Sequence, residues 1–168
     1  MKWLRGALAA FRFLTVFPLP GTAGTSPEDL QRSLWFFPLT GLVLGVLAAA
    51  GAWLAWRFFP PAVAAVVVTL LFTAFSGALH LDGLADTADG FFSSRSREQV
   101  LEIMRDSRIG VMGVVAVVMV LLLKASSLFS LAHENAVRTA LLVPVAGRCA
   151  MVMTMGWLPY ARTGGGLA

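Results

Sequence analysis

Asp82, Asp86 and Asp89 stand at i, i+4 and i+7 in the run His80-Leu81-Asp82-Gly83-Leu84-Ala85-Asp86-Thr87-Ala88-Asp89-Gly90. At 3.6 residues per turn they fall within about 60° of arc, so a helix here presents all three carboxylates on one face. Only Gly, Ala, Leu and Thr separate them. Carboxylates this close repel unless a cation stands among them. Oxygen-only ligands favour Mg²⁺, Ca²⁺ or Mn²⁺ over zinc. A metal so held neutralises phosphate charge as it develops in transfer chemistry. Gly83 and Gly90 are expected to let a bulky ligand approach the backbone. His80, at the head of the run, is a candidate base or ligand, or equally a polar residue ending its span. The bland alternative for the triplet is a solvated acidic loop at a membrane surface.

A second constellation is Met104-Arg105-Asp106-Ser107-Arg108-Ile109-Gly110-Val111-Met112-Gly113. Arg105 and Arg108 can each present paired donors to phosphate, and Asp106 can add a metal ligand. Both arginines also read as ordinary anchors at the entrance of a span. Arg148 lies inside an apolar stretch, where an ionisable residue usually serves a site or a buried partner. His133, beside Glu134, reads as solvated. There is no phosphate-binding Gly-rich loop, no Ser-His-Asp set, no zinc spacing and no internal repeat.

The elements that must position these residues are apolar. Of the 168 residues, 58% are hydrophobic and 13% charged, with a mean hydropathy of +0.79. A soluble domain carries roughly 25% charged residues, so this is a membrane protein. The net charge of +4 does not signal nucleic acid, because the basic residues flank apolar runs as topology signals. Cys149 is the one cysteine, which excludes an internal disulfide and any cysteine metal site; it is expected to pack as a small apolar residue.

The fold expected is an all-α polytopic transmembrane bundle, one integral membrane domain over residues 1–168. About four spans are expected from the uncharged runs. They cover Ser33 to Trp56, Phe58 to Leu79, Ile109 to about Ala132 with Lys124 snorkelling, and Val137 to Leu158, a weaker span holding Arg148. Pro60-Pro61 marks the turn between the first two. Residues 1–32 read as an interfacial segment rather than a cleaved signal, because Arg12 breaks the apolar run and Pro18 and Pro20 follow it. Ser96-Arg97-Glu98-Gln99 reads as a capping box that opens an amphipathic helix running to Gly110. Gly41-Leu42-Val43-Leu44-Gly45 is a GxxxG pattern for helix packing. The tail from Thr163 to Ala168 reads as a flexible stub or a cut. Lys2, Arg5, Arg12 and Arg32, with Arg95, Arg97, Arg105 and Arg108, put the N-terminus and residues 80–110 on the cytoplasmic side. That loop also holds Asp82, Asp86, Asp89, Glu98, Glu102 and Asp106, six of the nine acidic residues.

His-Leu-Asp-Gly-Leu-Ala-Asp-Thr-Ala-Asp-Gly, followed by Ile-Met-Arg-Asp-Ser-Arg-Ile-Gly-Val-Met-Gly, resembles the cobalamin synthase family of adenosylcobinamide-GDP ribazoletransferases. Phe13 to Pro20, Phe37 to Gly45, Gly147-Arg148 and Pro159-Tyr160-Ala161-Arg162 resemble further landmarks, so the likeness covers essentially the whole chain. The resemblance implies a multi-pass inner-membrane enzyme that needs Mg²⁺. It would join adenosylcobinamide-GDP to α-ribazole or its 5′-phosphate and release GMP. The family's acidic motif falls on Asp82, Asp86 and Asp89, and its second motif on Arg105, Asp106 and Arg108. Members are usually longer, so a C-terminally shortened chain is expected. A homo-oligomer stays open. Two rivals remain. A membrane phosphotransferase acting on a CDP-linked alcohol shares the aspartate spacing, but its usual Ala-Arg after Asp-Gly is missing. An ion-coupled transporter would carry its acids near mid-membrane. An inactive structural subunit is a third reading.

Overall fold

The computed structural model describes residues 2–159 and 161. Tyr160 and residues 162–168, which include Arg162 and the glycine-rich tail, lie outside the described residues. The described chain is helical throughout. In order come α1 (Lys2–Leu14), α2 (Pro27–Ser33), a short 3₁₀ turn (Leu34–Phe36), α3 (Phe37–Phe58), α4 (Pro61–Phe75), α5 (Leu79–Phe91), α6 (Arg97–Ile103), α7 (Val111–Phe129) and α8 (His133–Trp157). Three helical stretches are long and apolar enough to cross a membrane: Pro27–Phe58, Val111–Phe129 and His133–Trp157.

α3 and α8 form the central seam. The buried residues of α3 include Thr40, Gly41, Leu44, Gly45, Ala48, Ala52 and Ala55, a stripe at three- and four-residue steps. Ala136, Ala140, Pro144 and Arg148 form the matching stripe of α8 at strict four-residue steps. The expected role of the GxxxG pattern holds here. A Cβ at Gly41 would stand 2.6 Å from the Pro144 carbonyl oxygen, and one at Gly45 would collide with that of Leu141. With almost no hydrophobic drive between helices in lipid, such backbone proximity is what gives the pair its dispersion contacts. Ala48, Ala52, Ala55, Ala64, Ala65 and Val68 continue the small-residue core into α4. The outward faces carry Leu42, Val46, Val118, Leu122 and Leu142, as a lipid-facing surface does.

The second expected span is broken. α4 has 15 residues, or about 22 Å of rise, short of the roughly 30 Å hydrocarbon core. The chain then turns by 88° into α5. The turn is Ser76-Gly77-Ala78, where Gly77 and Ala78 both have positive φ, 58° and 59°. Gly77 takes that conformation without a Cβ penalty, whereas Ala78 holds it at a cost of about 1 kcal/mol. The Ser76 hydroxyl donates to the Phe72 carbonyl at 3.0 Å. The Ala78 N–H donates to the Thr73 carbonyl at 2.9 Å. These bonds satisfy the carbonyls that the break exposes. No charge or proline marks the turn, so the run from Phe58 to Leu79 reads as continuous in sequence. α5, at 13 residues, is too short to cross by itself, and with α4 it makes a bent pair apolar enough to form one broken span.

α1 is the amphipathic N-terminal helix expected, with Gly6, Ala9, Ala10 and Leu14 buried. Arg12 does more than flank an apolar run. Its guanidinium donates to the carbonyls of Leu19 at 2.9 Å, Pro20 at 3.1 Å and Ala23 at 3.2 Å, tying down the proline-containing loop. The capping box is present. The Gln99 N–H donates to Ser96 Oγ at 3.5 Å and the Ser96 N–H to Gln99 Oε1 at 3.4 Å. The helix it opens ends at Ile103, not at Gly110, because residues 104–110 turn around the Asp106 side chain. His133 starts α8 and stacks on Trp56, with centroids 6.4 Å apart, while remaining exposed as expected. Cys149 is half-buried.

Candidate active site

All three aspartates fall on α5, as the spacing requires. Their surroundings differ. Asp82 is exposed and Asp86 half-buried. Asp86 has its pKa raised, by partial desolvation first and then by the charges of Asp82 and Asp89. That is the signature of a carboxylate short of a cation.

Asp89 is already occupied. Its Oδ2 accepts the Gly110 N–H at 2.7 Å and its Oδ1 accepts the Gly113 N–H at 2.8 Å. Gly110 is the N-cap of α7 and has no side chain to satisfy the first-turn amides. Asp89 supplies from α5 what a Ser or Asp cap supplies locally, a carboxylate at the positive end of the helix dipole. A Cβ at Gly110 or at Gly113 would collide with the Asp89 carboxylate, so both glycines of Gly-Val-Met-Gly are there to admit it. Sequence reasoning missed this pairing. The available signal was a long apolar helix opening on Gly with no capping side chain of its own.

Gly83 is open: a Cβ added there would meet nothing within 4 Å, as a ligand-approach position should allow. Gly90 is not open. A Cβ there would sit 3.0 Å from Met104 Cγ and 3.1 Å from Val100 Cγ1, so Gly90 serves the packing of α5 on α6 instead of a ligand.

Asp106 and Arg108 hold each other. Arg108 Nη2 donates to Asp106 Oδ2 at 2.6 Å and Nε donates to Oδ1 at 3.0 Å. The Arg108 N–H also donates to Oδ1 at 3.0 Å. The guanidinium brings the Asp106 carboxyl down to about 2. A lowered value means that the pair is fully formed above the ordinary carboxylate range and is lost only as pH falls towards 2. An exposed pair of this kind exchanges partners at little cost, so either group can turn to a ligand. Arg105 is exposed and has no ion pair among the described residues. With Arg95, Gln99, Glu102, Ile103 and Asp106 it lines a cleft of about 560 Å³.

His80 and Arg148 do not join this group. On α5, His80 lies about 120–180° around the helix from the three aspartates. It faces a different cavity, which it lines together with Arg148. The residues picked from sequence therefore divide into an acidic face with a mixed-charge cleft beside α6, and a second set between the spanning helices.

Among the described residues no three His, Cys, Asp or Glu side chains gather into a self-contained metal cage. Asp82 and Asp86 remain as unpaired oxygen donors one turn apart. Mg²⁺ is commonly held by just one or two carboxylates, the rest of its shell being water and substrate phosphate. The donor set fits that ion.

The model of the cobalamin-5-phosphate synthase family matches residues 6–168. The chain belongs to that family. It is 42% identical over 167 residues to the adenosylcobinamide-GDP ribazoletransferase of Acetivibrio thermocellus, covering 99% of this chain and 67% of that protein. It is 46% identical over 156 residues to the enzyme of the same name from Roseiflexus sp., covering 93% and 58%. The Desulforamulus reducens protein of that name is 42% identical over 158 residues, covering 94% and 63%. The chain thus spans about two thirds of the length of these relatives. No solved structure matches it.

Proposed function

We propose that this chain carries the phosphoryl-transfer centre of an adenosylcobinamide-GDP ribazoletransferase. The observation that carries the reading is the α5 face. It presents Asp82 and Asp86 unpaired beside an open Gly83, while α6 and the following turn offer Arg105 in a cleft large enough for a nucleotide. Family membership supports the same activity. In this reading Asp82 and Asp86 hold Mg²⁺, which when bound offsets charge on the pyrophosphate. Arg105 pairs with phosphate oxygens, and Arg108 joins it on releasing Asp106. The hydroxyl of α-ribazole, or of its 5′-phosphate, attacks the phosphorus on the cobinamide side. A new P–O bond forms, the P–O bond to GMP breaks, and GMP leaves with the electron pair. The hydroxyl proton passes to a carboxylate oxygen of this face that the ion leaves free. His80, on the far side of α5, is not positioned to take it. The family match favours this activity over the CDP-alcohol and transporter readings.

The test is calorimetric titration of adenosylcobinamide-GDP in nanodiscs, with Mg²⁺ and with chelator. A metal shared by carboxylates and phosphate makes each ligand strengthen the other. Affinity should fall at least tenfold without Mg²⁺, and about tenfold in Arg105→Ala or Arg108→Ala, the loss expected for one charge-assisted bond. Equal affinity in metal and chelator would remove the metal-bridged reading.

We also propose an inner-membrane orientation with the N-terminus and residues 80–110 in the cytoplasm. The basic residues of both segments support it. Ser94, at the α5–α6 turn, reports on it: Ser94→Cys should resist an impermeant thiol reagent in intact cells and react after permeabilisation. Labelling from outside would invert the topology.

A further inference from the structure

Between α4, α7 and α8 lies a cavity of about 350 Å³. Its wall is mainly apolar, with Phe72, Phe75, Val120 and Leu123 among the lining side chains. Three basic side chains also line it, each from a different helix: His80, Lys124 and Arg148. None of the described residues around it is acidic. Arg148 is only 8% exposed, and its Nε finds no hydrogen-bond partner among the described residues. It lies about 14 Å from the C-terminal end of α8 and about 22 Å from the other end, at mid-depth in its span. A guanidinium in that setting is costly unless an anion meets it. Lys124 is exposed on α7 and His80 on α5, so both stand where an entering group would first arrive. The cavity therefore offers a deep fork of N–H donors, the Lys124 ammonium and the His80 imidazole at its rim, and an apolar bed for a chain.

We propose that this cavity binds an anionic phospholipid, its phosphate paired with Arg148 and Lys124 and an acyl segment lying along the Phe72–Phe75 and Val120–Leu123 walls. The occupant is a lipid and not a free anion because most of the wall is apolar. It is an anionic lipid because Arg148 and Lys124 have no acid opposite them among the described residues. This site lies on the opposite side of α5 from the carboxylate face and does not depend on the transferase reading.

The experiment uses the full chain, purified in neutral detergent. Native mass spectrometry measures retained lipid after exchange with phosphatidylglycerol or phosphatidylcholine of identical chains. Phosphatidylglycerol should be held at least about tenfold better, because phosphatidylcholine has the same phosphodiester but brings a choline cation that Arg148 and Lys124 repel. Lys124→Met and Arg148→Gln should each bring it down to the phosphatidylcholine level. Lys124 is exposed, so its variant keeps the test valid if Arg148→Gln does not fold; circular dichroism checks both. A third arm adds inorganic phosphate in millimolar excess, which should not displace the lipid. Equal retention of the two lipids, unchanged retention in the variants, or displacement by free phosphate would each overturn the proposal.

Discussion

Asp82→Asn and Asp86→Asn are each expected to abolish ribazole transfer, with losses of roughly 10²–10⁴-fold, in a chain that still inserts and folds. Among the described residues neither carboxylate holds another part of the protein. Asp82 is exposed, and Asp86 is raised in pKa by desolvation and by its two acidic neighbours. Neutralising one relieves repulsion on α5 and leaves packing untouched, so thermal stability should stay level or rise slightly. If Asp86 holds Mg²⁺ as proposed, its raised pKa makes metal affinity decline earlier on acidification than at an isolated carboxylate. Turnover of full-length enzyme at saturating Mg²⁺, measured beside melting curves, decides the matter. Near wild-type turnover in both variants would end the case for a metal-bridged phosphate site on this face.

Asp89 should behave in the opposite way, although it belongs to the same triplet. Asp89→Ala strips the acceptor from the Gly110 and Gly113 amides and leaves the first turn of α7 without its cap. Hydrogen bonds to a charged group contribute about 1.5–3 kcal/mol each, and the helix-end charge adds a few tenths. Solvent screening at this half-buried position reduces the sum. A loss of about 2–4 kcal/mol is expected, with fast hydrogen exchange confined to the start of α7. Asp89→Asn keeps one acceptor oxygen and turns an amide N–H₂ towards the other donor, so it should lose about half as much. Activity would fall in both, but in step with stability, which is what separates Asp89 from Asp82 and Asp86. A melting temperature of Asp89→Ala within about 1 °C of the wild type would show the clamp to be dispensable.

Much of this molecule is written in local patterns. The uncharged runs set the spans because a charge in the hydrocarbon core is costly and rare. The i, i+4, i+7 spacing put three aspartates on one face of α5 because a helix has a fixed period. Gly41 and Gly45 marked the α3–α8 seam because only small residues let backbones approach. Ser96 and Gln99 marked the start of α6 because their side chains satisfy its first amides. Each of these depends only on residues near each other in sequence.

What the sequence could not separate were residues of one type with different partners. The triplet looked like three equal ligands. Tertiary structure made Asp89 a clamp for a helix that begins 22 residues later, since only the docking of α5 on α7 brings its oxygens to those amides. The break at Ser76-Gly77-Ala78 carries neither charge nor proline, so hydropathy ran through it; the bend decided that this span is broken and that α5 turns 88° from α4. Arg148 showed in sequence only as a charge in an apolar stretch. The packing of α8 on α3, with α7 drawn to α4 and α5, decided that this charge ends at the bottom of a cavity with no acid to meet it. Period and hydropathy are properties of a segment, while the partner of a carboxylate or a guanidinium is a property of the packed bundle.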